Sequence, residues 1–433
     1  MFWLYTSLTF AEPITLQDAY ALANQNNAQL KLSEWSETKA KLASQHAWLS
    51  ALPQVKLEAN WLYFDSPIEV SFVGDGDVDC TLFENFGFGD LCDSFAEPIV
   101  VREDQVYEGN LQIIQPLTPL YSIISGARAQ SAMHQVAKAE ASITHGEVMV
   151  AVTEAYMELQ TMAAAEKLAA HTVERIELHA KRAQDFETQG LLTRLDVRQI
   201  EVGLQDAQNA VKQAQLGRAV AERKIELLLG KSNLQPQSVE LPDNVPNFQL
   251  SYQTPQKQMI QGQLDAAKAG RQASAGQLLP TVALIAGITQ NEGQGAFAVN
   301  EQQFVGVTVS GDFQWGQKTL KLRQSHLDVK MAEAGSVLQT QQQALQQDAA
   351  IRQAELAHSD WLSAISKAEL ASDVRKNAAL KFEQQMLSSA ELMDFENDLM
   401  AAEMAVITAQ KNAIVAIATV QSLLGLPVQP EKM

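Results

Sequence analysis

Residues 193–230 and 388–425 are one passage written twice, 195 positions apart. Thr193 stands where Ser388 stands, Asp196 where Glu391 stands, and Leu204 where Leu399 stands. Ala210-Val211 matches Ala405-Val406, Ala214-Gln215 matches Ala409-Gln410, and Leu228-Leu229-Gly230 matches Leu423-Leu424-Gly425. Repetition over so long a stretch requires the fold to accommodate the same unit twice. A second echo, LPQVKLEAN from Leu52 and LPTVALIAG from Leu279, has an offset of 227. The two offsets differ by 32, so the first half carries an insertion, which falls in the loop of residues 65–104.

Each half reads in one order. A helix (about 15–50, then 255–278) meets a proline, which breaks it. Two strands follow, the second at about 106–115 and 304–313. A long helix (about 120–188 and 317–385), a short turn and a return helix (about 390–425 in the second half) complete the unit. This divides the chain into a segment 1–11, a first repeat 12–230, a linker 231–254 and a second repeat 255–433. The linker and the residue after it hold four of the 13 prolines.

Ala, Gln, Leu and Glu dominate the middle and end of the chain, a mix that favours long helices. Val148, Val152, Ala155 and Leu159 follow helical spacing and predict packing along one stripe. A helix of 69 residues is roughly 100 Å long. The shorter helices at 15–50 and 390–425 are each roughly 54 Å. Two of those laid end to end match one long helix, which suggests a helical cylinder.

The strands alternate. Val55, Leu57, Ala59, Trp61 and Tyr63 share one face, while Lys56, Glu58 and Asn60 share the other. Val282, Leu284, Ala286 and Ile288 make a second apolar face. About eleven residues suit a tilted membrane-spanning strand, with Trp61 and Tyr63 at the interface. A small soluble sheet capping a coiled coil is the competing reading, but the long helices lead away and none is left to cover it. In lipid a four-stranded open sheet would expose unpaired edges, so a membrane reading demands several copies. Eight strands fill their own interior, and three chains with twelve strands are the fewest that leave a channel.

The formal charge is −19, with a pI near 4.8. So acidic a chain repels phosphate backbones, which argues against nucleic acid as a partner. Cys80 and Cys92 are the two cysteines, both in the acidic 65–104 loop. Their isolation predicts an oxidising compartment and a local disulfide worth about 3 kcal/mol, against the alternative of two free thiols. MFWLYTSLTFAEP reads as the tail of a secretory signal without a basic start. No later segment has 18 consecutive apolar residues, so no transmembrane helix is expected.

Reactive chemistry is sparse. His171 with Glu174 is the one histidine–acid pair read at helical spacing, and no further ligands can be named for a metal. Asp75, Asp77 and Asp79 alternate as in a calcium loop, but the twelfth position is Phe86. No nucleophile–base set or phosphate-binding glycine loop is present. The reading is no enzyme and no cofactor.

Taken together, ITLQDAYALANQNNAQLK, the two LPxVxL strand starts, QPL at Gln115–Leu117, AVTEAYMELQ, QGLLTRLDV and the paired LLG ends resemble the TolC-type outer-membrane efflux family. The resemblance runs from about residue 14 to 428. It implies a mainly α fold with transmembrane β: a helical barrel joined to a β-barrel of four strands per chain, as an obligate homotrimer in the outer membrane, reaching into the periplasm. The lipid-facing strand residues would be Val55, Leu57, Ala59, Trp61, Tyr63, Val282 and Leu284. It also implies a passive exit duct for small molecules, docked to a periplasmic adaptor and an inner-membrane transporter. A protein-secretion duct of the same build is the alternative, and a non-channel periplasmic coiled-coil scaffold is the alternative of another class.

By the same resemblance the adaptor-docking tips are Gly190, Leu191 and Thr193, with Met386, Leu387, Ser388 and Ser389. Gln385 stands where the first tip has Gly190. Thr193 with Asp196 and Ser388 with Glu391 are also spaced as capping boxes. Capping does not account for Asp394, one turn further on. The resemblance places Glu391 and Asp394 at the periplasmic entrance, where an acidic ring would favour cations and mutual repulsion would raise the carboxyl pKa values.

Overall fold

The computed structural model describes residues 12–70, 99–242, 244–248, 253–295, 299–311 and 314–429. The expected signal segment, the Cys80–Cys92 disulfide and the aspartates at 75, 77 and 79 lie outside the described residues. Two compact units are present. One draws on the described residues of Met1–Lys39, Gln135–Gly262 and Ala334–Met433, the other on those of Ala40–His134 and Gln263–Glu333.

The chain opens with β1 (Glu12–Ile14), α1 (Leu16–Asn26) and α2 (Ala28–Leu49). A single helix was expected here, and Asn27 divides it. Asn27 has extended backbone, with φ −65° and ψ 124°. Its Oδ1 accepts from the backbone N–H of Gln29 (2.9 Å) and of Leu30 (3.3 Å), giving α2 its cap. Its Nδ2 donates to the carbonyl of Leu228, and Asn26 Nδ2 donates to that of Leu229. The break therefore satisfies carbonyls at the end of a distant helix, something local propensity cannot register.

After β2 (Gln54–Tyr63), β3 (Ile68–Val70), β4 (Ile99–Arg102) and β5 (Gln105–Pro116) come the long α3 (Pro119–Thr188) and its return helix α4 (Arg194–Leu229). β6 (Leu234–Pro236) and α5 (Pro255–Gly276) follow, then β7 (Thr281–Glu292) and β8 (Glu301–Ser310). The chain finishes with α6 (Trp315–Glu383) and α7 (Ser389–Leu423). β8 starts and ends three residues before its expected bounds.

The helical unit is held by the stripe read from the sequence. Val148, Val152, Ala155 and Leu159 are all buried, and they pack with Leu16 and Tyr20 of α1, Ile225 and Leu229 of α4, and Ile414 of α7. The buried hydroxyls of Tyr20 and Thr153 pair with each other at 2.6 Å, as their desolvation demands. The Tyr156 hydroxyl lies 2.7 Å from the carbonyl of Ile14 and 2.9 Å from that of Gln237, pinning the parallel β1–β6 ribbon from beneath.

The other unit holds the four-stranded sheet, in the order β2-β5-β7-β8, every pair antiparallel. Register decides its two faces. Val55 pairs with Ile113, Ile113 with Ala286, and Ala286 with Val305. One step along, Leu57, Leu111 and Ile288 form another apolar row. Because side chains alternate, these rows lie on one face. Lys56, Gln112, Glu58, Asn110 and Thr289 line the opposite one.

Candidate functional site

Two features of the described residues lack an ordinary structural explanation: the apolar sheet face and the paired helix tips. On the sheet, every residue of β2 is exposed, with Leu57 at 75% and Trp61 at 62% relative accessibility. Leu111, Ile113, Leu284, Ile288, Val305, Val307 and Val309 extend the exposed apolar surface over all four strands. A contiguous patch of this kind marks a buried interface with lipid or protein, since water disfavours it. Val282 is half-buried and Leu284 exposed, both on that same face. Trp61, Tyr63 and Tyr107 gather toward one end of it. β2 and β8 are the edges of the sheet, each with one side unpaired. No described helix is long and apolar enough to cross a membrane.

At the tips, both turns have one geometry. Gly190 has φ +74°, Gly190 N donates to the Glu187 carbonyl and Leu191 N to that of Phe186, each at 2.9 Å. Gln385 has φ +59°, its N–H donates to the Phe382 carbonyl, and Met386 N–H donates to that of Lys381. Both are left-handed helix ends closed by a 6→1 bond. Gln385 therefore occupies a conformation that costs a residue with a Cβ about 1–2 kcal/mol. Replacing it with glycine relieves that strain but adds chain entropy to the unfolded state, of order 0.5–1 kcal/mol. Gln385→Gly is expected to stabilise the tip by about 0.5 kcal/mol and Gly190→Ala to destabilise its partner, read by thermal melting. Equal effects of both substitutions would contradict the turn geometry.

Each return helix starts on a reciprocal cap. The Thr193 hydroxyl accepts from Asp196 N, and Asp196 Oδ2 accepts from Thr193 N at 2.9 Å. In the second tip Ser388 Oγ accepts from Glu391 N (3.2 Å), while Glu391 Oε2 accepts from Ser388 N (3.0 Å) and from its hydroxyl (2.7 Å). Those donors, the backbone N–H first, hold the Glu391 carboxyl below its ordinary value. Within one chain this runs opposite to the rise expected from an acidic ring, because the cap supplies protons to the charged form. The Thr193 hydroxyl, followed by its backbone N–H, does the same for Asp196. Asp394 is exposed one turn beyond Glu391. Leu191 and Met386 are exposed at the turns, Leu387 is half-buried and Ser389 is buried.

Sequence reading missed the group that ties this end together. Glu396, on α7, is fully buried. Arg175 Nε on α3 donates to its Oε2 at 3.0 Å, and His179 Nε2 on α3 donates to its Oε1 at 3.1 Å. Arg375 Nε on α6 stands 3.7 Å from Oε1, a charge contact beyond hydrogen-bond reach. Burial pushes the Glu396 carboxyl up, but the His179 hydrogen bond and the Arg175 and Arg375 charges outweigh it and hold it below its ordinary value. The signal was available in principle, since Leu392, Met393, Glu396 and Leu399 form one buried stripe with an acid in it. Glu201, 195 positions earlier on α4, is exposed.

Among the described residues no cluster of three or more metal-ligating side chains occurs. His171 and Glu174 meet at 3.3 Å but both are well exposed.

No family model matches the chain, and no curated protein does. Solved structures match over nearly its whole length. The CmeC outer membrane channel of Campylobacter jejuni aligns with a TM-score of 0.79 at 13% identity, covering 96% of this chain and 87% of that one. The outer membrane protein VceC of Vibrio cholerae gives 0.78 at 13% identity, covering 96% and 97%. The MtrE outer membrane channel of Neisseria gonorrhoeae, solved in an open state, gives 0.73 at 15% identity, covering 96% and 90%. At such identities the likeness is one of fold. The chain has the fold of the outer-membrane channels, the TolC-type architecture that its sequence resembles.

Proposed function

We propose that the chain is a passive exit duct of the outer membrane, acting as a homotrimer with a periplasmic adaptor and an inner-membrane transporter to export small molecules. The carrying observation is the sheet, with one face apolar and exposed across four strands and two long edges unpaired. In lipid an unpaired backbone edge is not viable, so the sheet has to be completed by copies of itself. The order β2-β5-β7-β8 is antiparallel with an even number of strands, so β8 of one copy meets β2 of the next in antiparallel sense. Three copies make twelve strands, enough to leave a lumen, which the Lys56, Glu58 and Gln112 face would line. Val55, Leu57, Ala59, Val282 and Leu284 then meet lipid, with Trp61 and Tyr63 at the interface.

In this reading residues 12–230 and 255–433 are two structural repeats joined by the 231–254 linker. The tips, Gly190, Leu191 and Thr193 with Met386, Leu387, Ser388 and Ser389, meet the adaptor. Fractionation of the outer membrane with unheated gel electrophoresis tests the assembly, and a soluble monomer would end the channel reading in favour of a scaffold. A protein cargo in place of small molecules is distinguished by which adaptor and transporter co-purify with the chain.

Glu391 and Asp394 would guard the entrance, six carboxylates in a trimer, and make the mouth prefer cations. Since capping favours the ionised form of Glu391, that carboxylate keeps its charge at neutral pH. Planar-bilayer recording of Glu391→Ala with Asp394→Ala is expected to reduce the cation preference, and the single Asp394→Ala change carries part of that loss without touching the cap. Unchanged reversal potentials in both variants would remove these residues from the pore mouth.

A further inference from the structure

The polar face of the sheet is not polar throughout. One of its rows is Glu58, Asn110, Thr289 and Gln302, hydrophilic at every position. The next row toward the start of β7 is Lys56, Gln112, Gly287 and Phe304, and the one after it is Gln54, Ile114, Ile285 and Gly306. On β7 and β8 these two rows make a checkerboard, with Phe304 opposite Gly287 and Ile285 opposite Gly306. Each large side chain is paired with a residue that has none.

That pairing lets the large side chains lie down. The Cζ and Cε1 atoms of Phe304 come within 2.8 and 3.0 Å of the point where a β-carbon on Gly287 would stand. The Cγ1 of Ile285 lies 3.8 Å from the corresponding point at Gly306. The Phe304 ring therefore reclines across the backbone of β7, as an aromatic covers a strand glycine, instead of projecting from the wall. Phe304, Ile114 and Ile285 are all half-buried. Ile114 pairs directly with Ile285, and Ile285 is the diagonal neighbour of Phe304, within reach of an aromatic side chain. The three make one low apolar patch, bordered by Gln112, Thr289 and Gln302.

Water is a poor neighbour for such a patch, because exposed apolar area is disfavoured there. In the duct the opposite face meets lipid, so this one meets water and the solute in transit. We propose that Phe304, with Ile114 and Ile285, is a contact site for aromatic solutes in the lumen, where the ring offers a stacking surface at the wall. Because the ring reclines, the site holds a solute without narrowing the bore. One stacked ring binds weakly, which conduction requires, since a site that holds too tightly stops the flow. The inference rests on the duct reading and deepens it, and a trimer would carry three such patches at one level.

The test is single-channel recording of the full-length protein purified from the outer membrane, with unheated gels to verify assembly. Tetraphenylphosphonium, an aromatic cation, and tetrabutylammonium, an alkyl one, are added on the extracellular side, and the half-blocking concentration of each is read. Phe304→Leu removes the ring and keeps apolar bulk. It is expected to raise the value for tetraphenylphosphonium roughly two- to tenfold, the range one aromatic pair supplies, and to leave that for tetrabutylammonium unchanged. Phe304→Tyr retains the ring and is expected to match the wild type. Should the leucine variant not assemble, Phe304→Val, with a side chain that favours strands, gives the same reading. An unchanged value for tetraphenylphosphonium without the ring overturns the site. So does an equal rise for both cations, which reports bore or charge and not stacking. Failure of the duct reading looks different: the wild-type chain would neither fractionate with the outer membrane nor conduct at all.

Discussion

Arginine in place of Val305 is expected to keep the chain out of the outer membrane. Val305 is 79% exposed and lies midway along β8 on the apolar face, in the row of Val55, Ile113 and Ala286. A guanidinium at the mid-depth of a barrel's lipid face costs about 2–4 kcal/mol. In the proposed trimer that penalty enters three times, about 6–12 kcal/mol, comparable with the whole margin by which folded domains are stable. The control sits on the same strand. Gln302 is exposed but belongs to the polar face, opposite Thr289, so Gln302→Arg is expected to assemble normally. Membrane fractionation and heat-modifiable gel mobility compare the two directly. Equal behaviour of the two arginines would mean that the apolar face meets something other than lipid.

Removal of the Glu396 carboxylate is the second large effect. Glu396→Ala leaves His179 buried with no acceptor and two guanidiniums without their shared counter-charge. Breaking a buried pair by deleting one partner costs about 3–5 kcal/mol. The lower end is expected here, because Arg175 and Arg375 retain 20% and 22% exposure and can recruit water. The pH dependence follows from the sign of the shift. Glu396 is held below its ordinary value of 4.5, so the unfolded chain binds the proton more readily. Its contribution is therefore complete above pH 4.5 and lost as pH falls through the lower folded value. Melting curves are expected to show the wild type losing its advantage over Glu396→Gln in that acidic window and keeping it at neutrality. A constant difference across the window would mean that the carboxylate is not the titrating partner.

Legibility of this fold tracks how local its causes are. The caps at Thr193 and Ser388 were readable because donor and acceptor lie three residues apart. The face holding Val55, Leu57 and Trp61 was readable because strand alternation is a period of two. The stripe from Val148 to Leu159 was readable for the matching helical reason. Asn27 was not, because the carbonyl that its side chain satisfies belongs to Leu228, 201 positions later. Glu396 was hidden in the same way, since its donors come from α3 and α6. The Gln385 turn shows the limit of residue preference. Glutamine at 385 left the turn geometry open where Gly190 points to a left-handed end, yet both residues take the same left-handed turn. At Glu391 the expectation considered only other carboxylates, whereas the nearest groups are the donors of its own cap.

The unlike edges of the sheet have a genetic consequence. An assembly that closes head to tail uses β8 of every copy against β2 of the next, so no subunit can be bypassed. A substitution that spoils one edge but leaves the other intact still enters a growing ring and then blocks its closure. Expressed beside the wild type in equal amount, such an allele would leave about one ring in eight free of defective copies if the ring has three members. In the proposed ring, lesions on β2 or β8 are therefore expected to be dominant, while lesions that prevent the chain from folding at all are expected to be recessive.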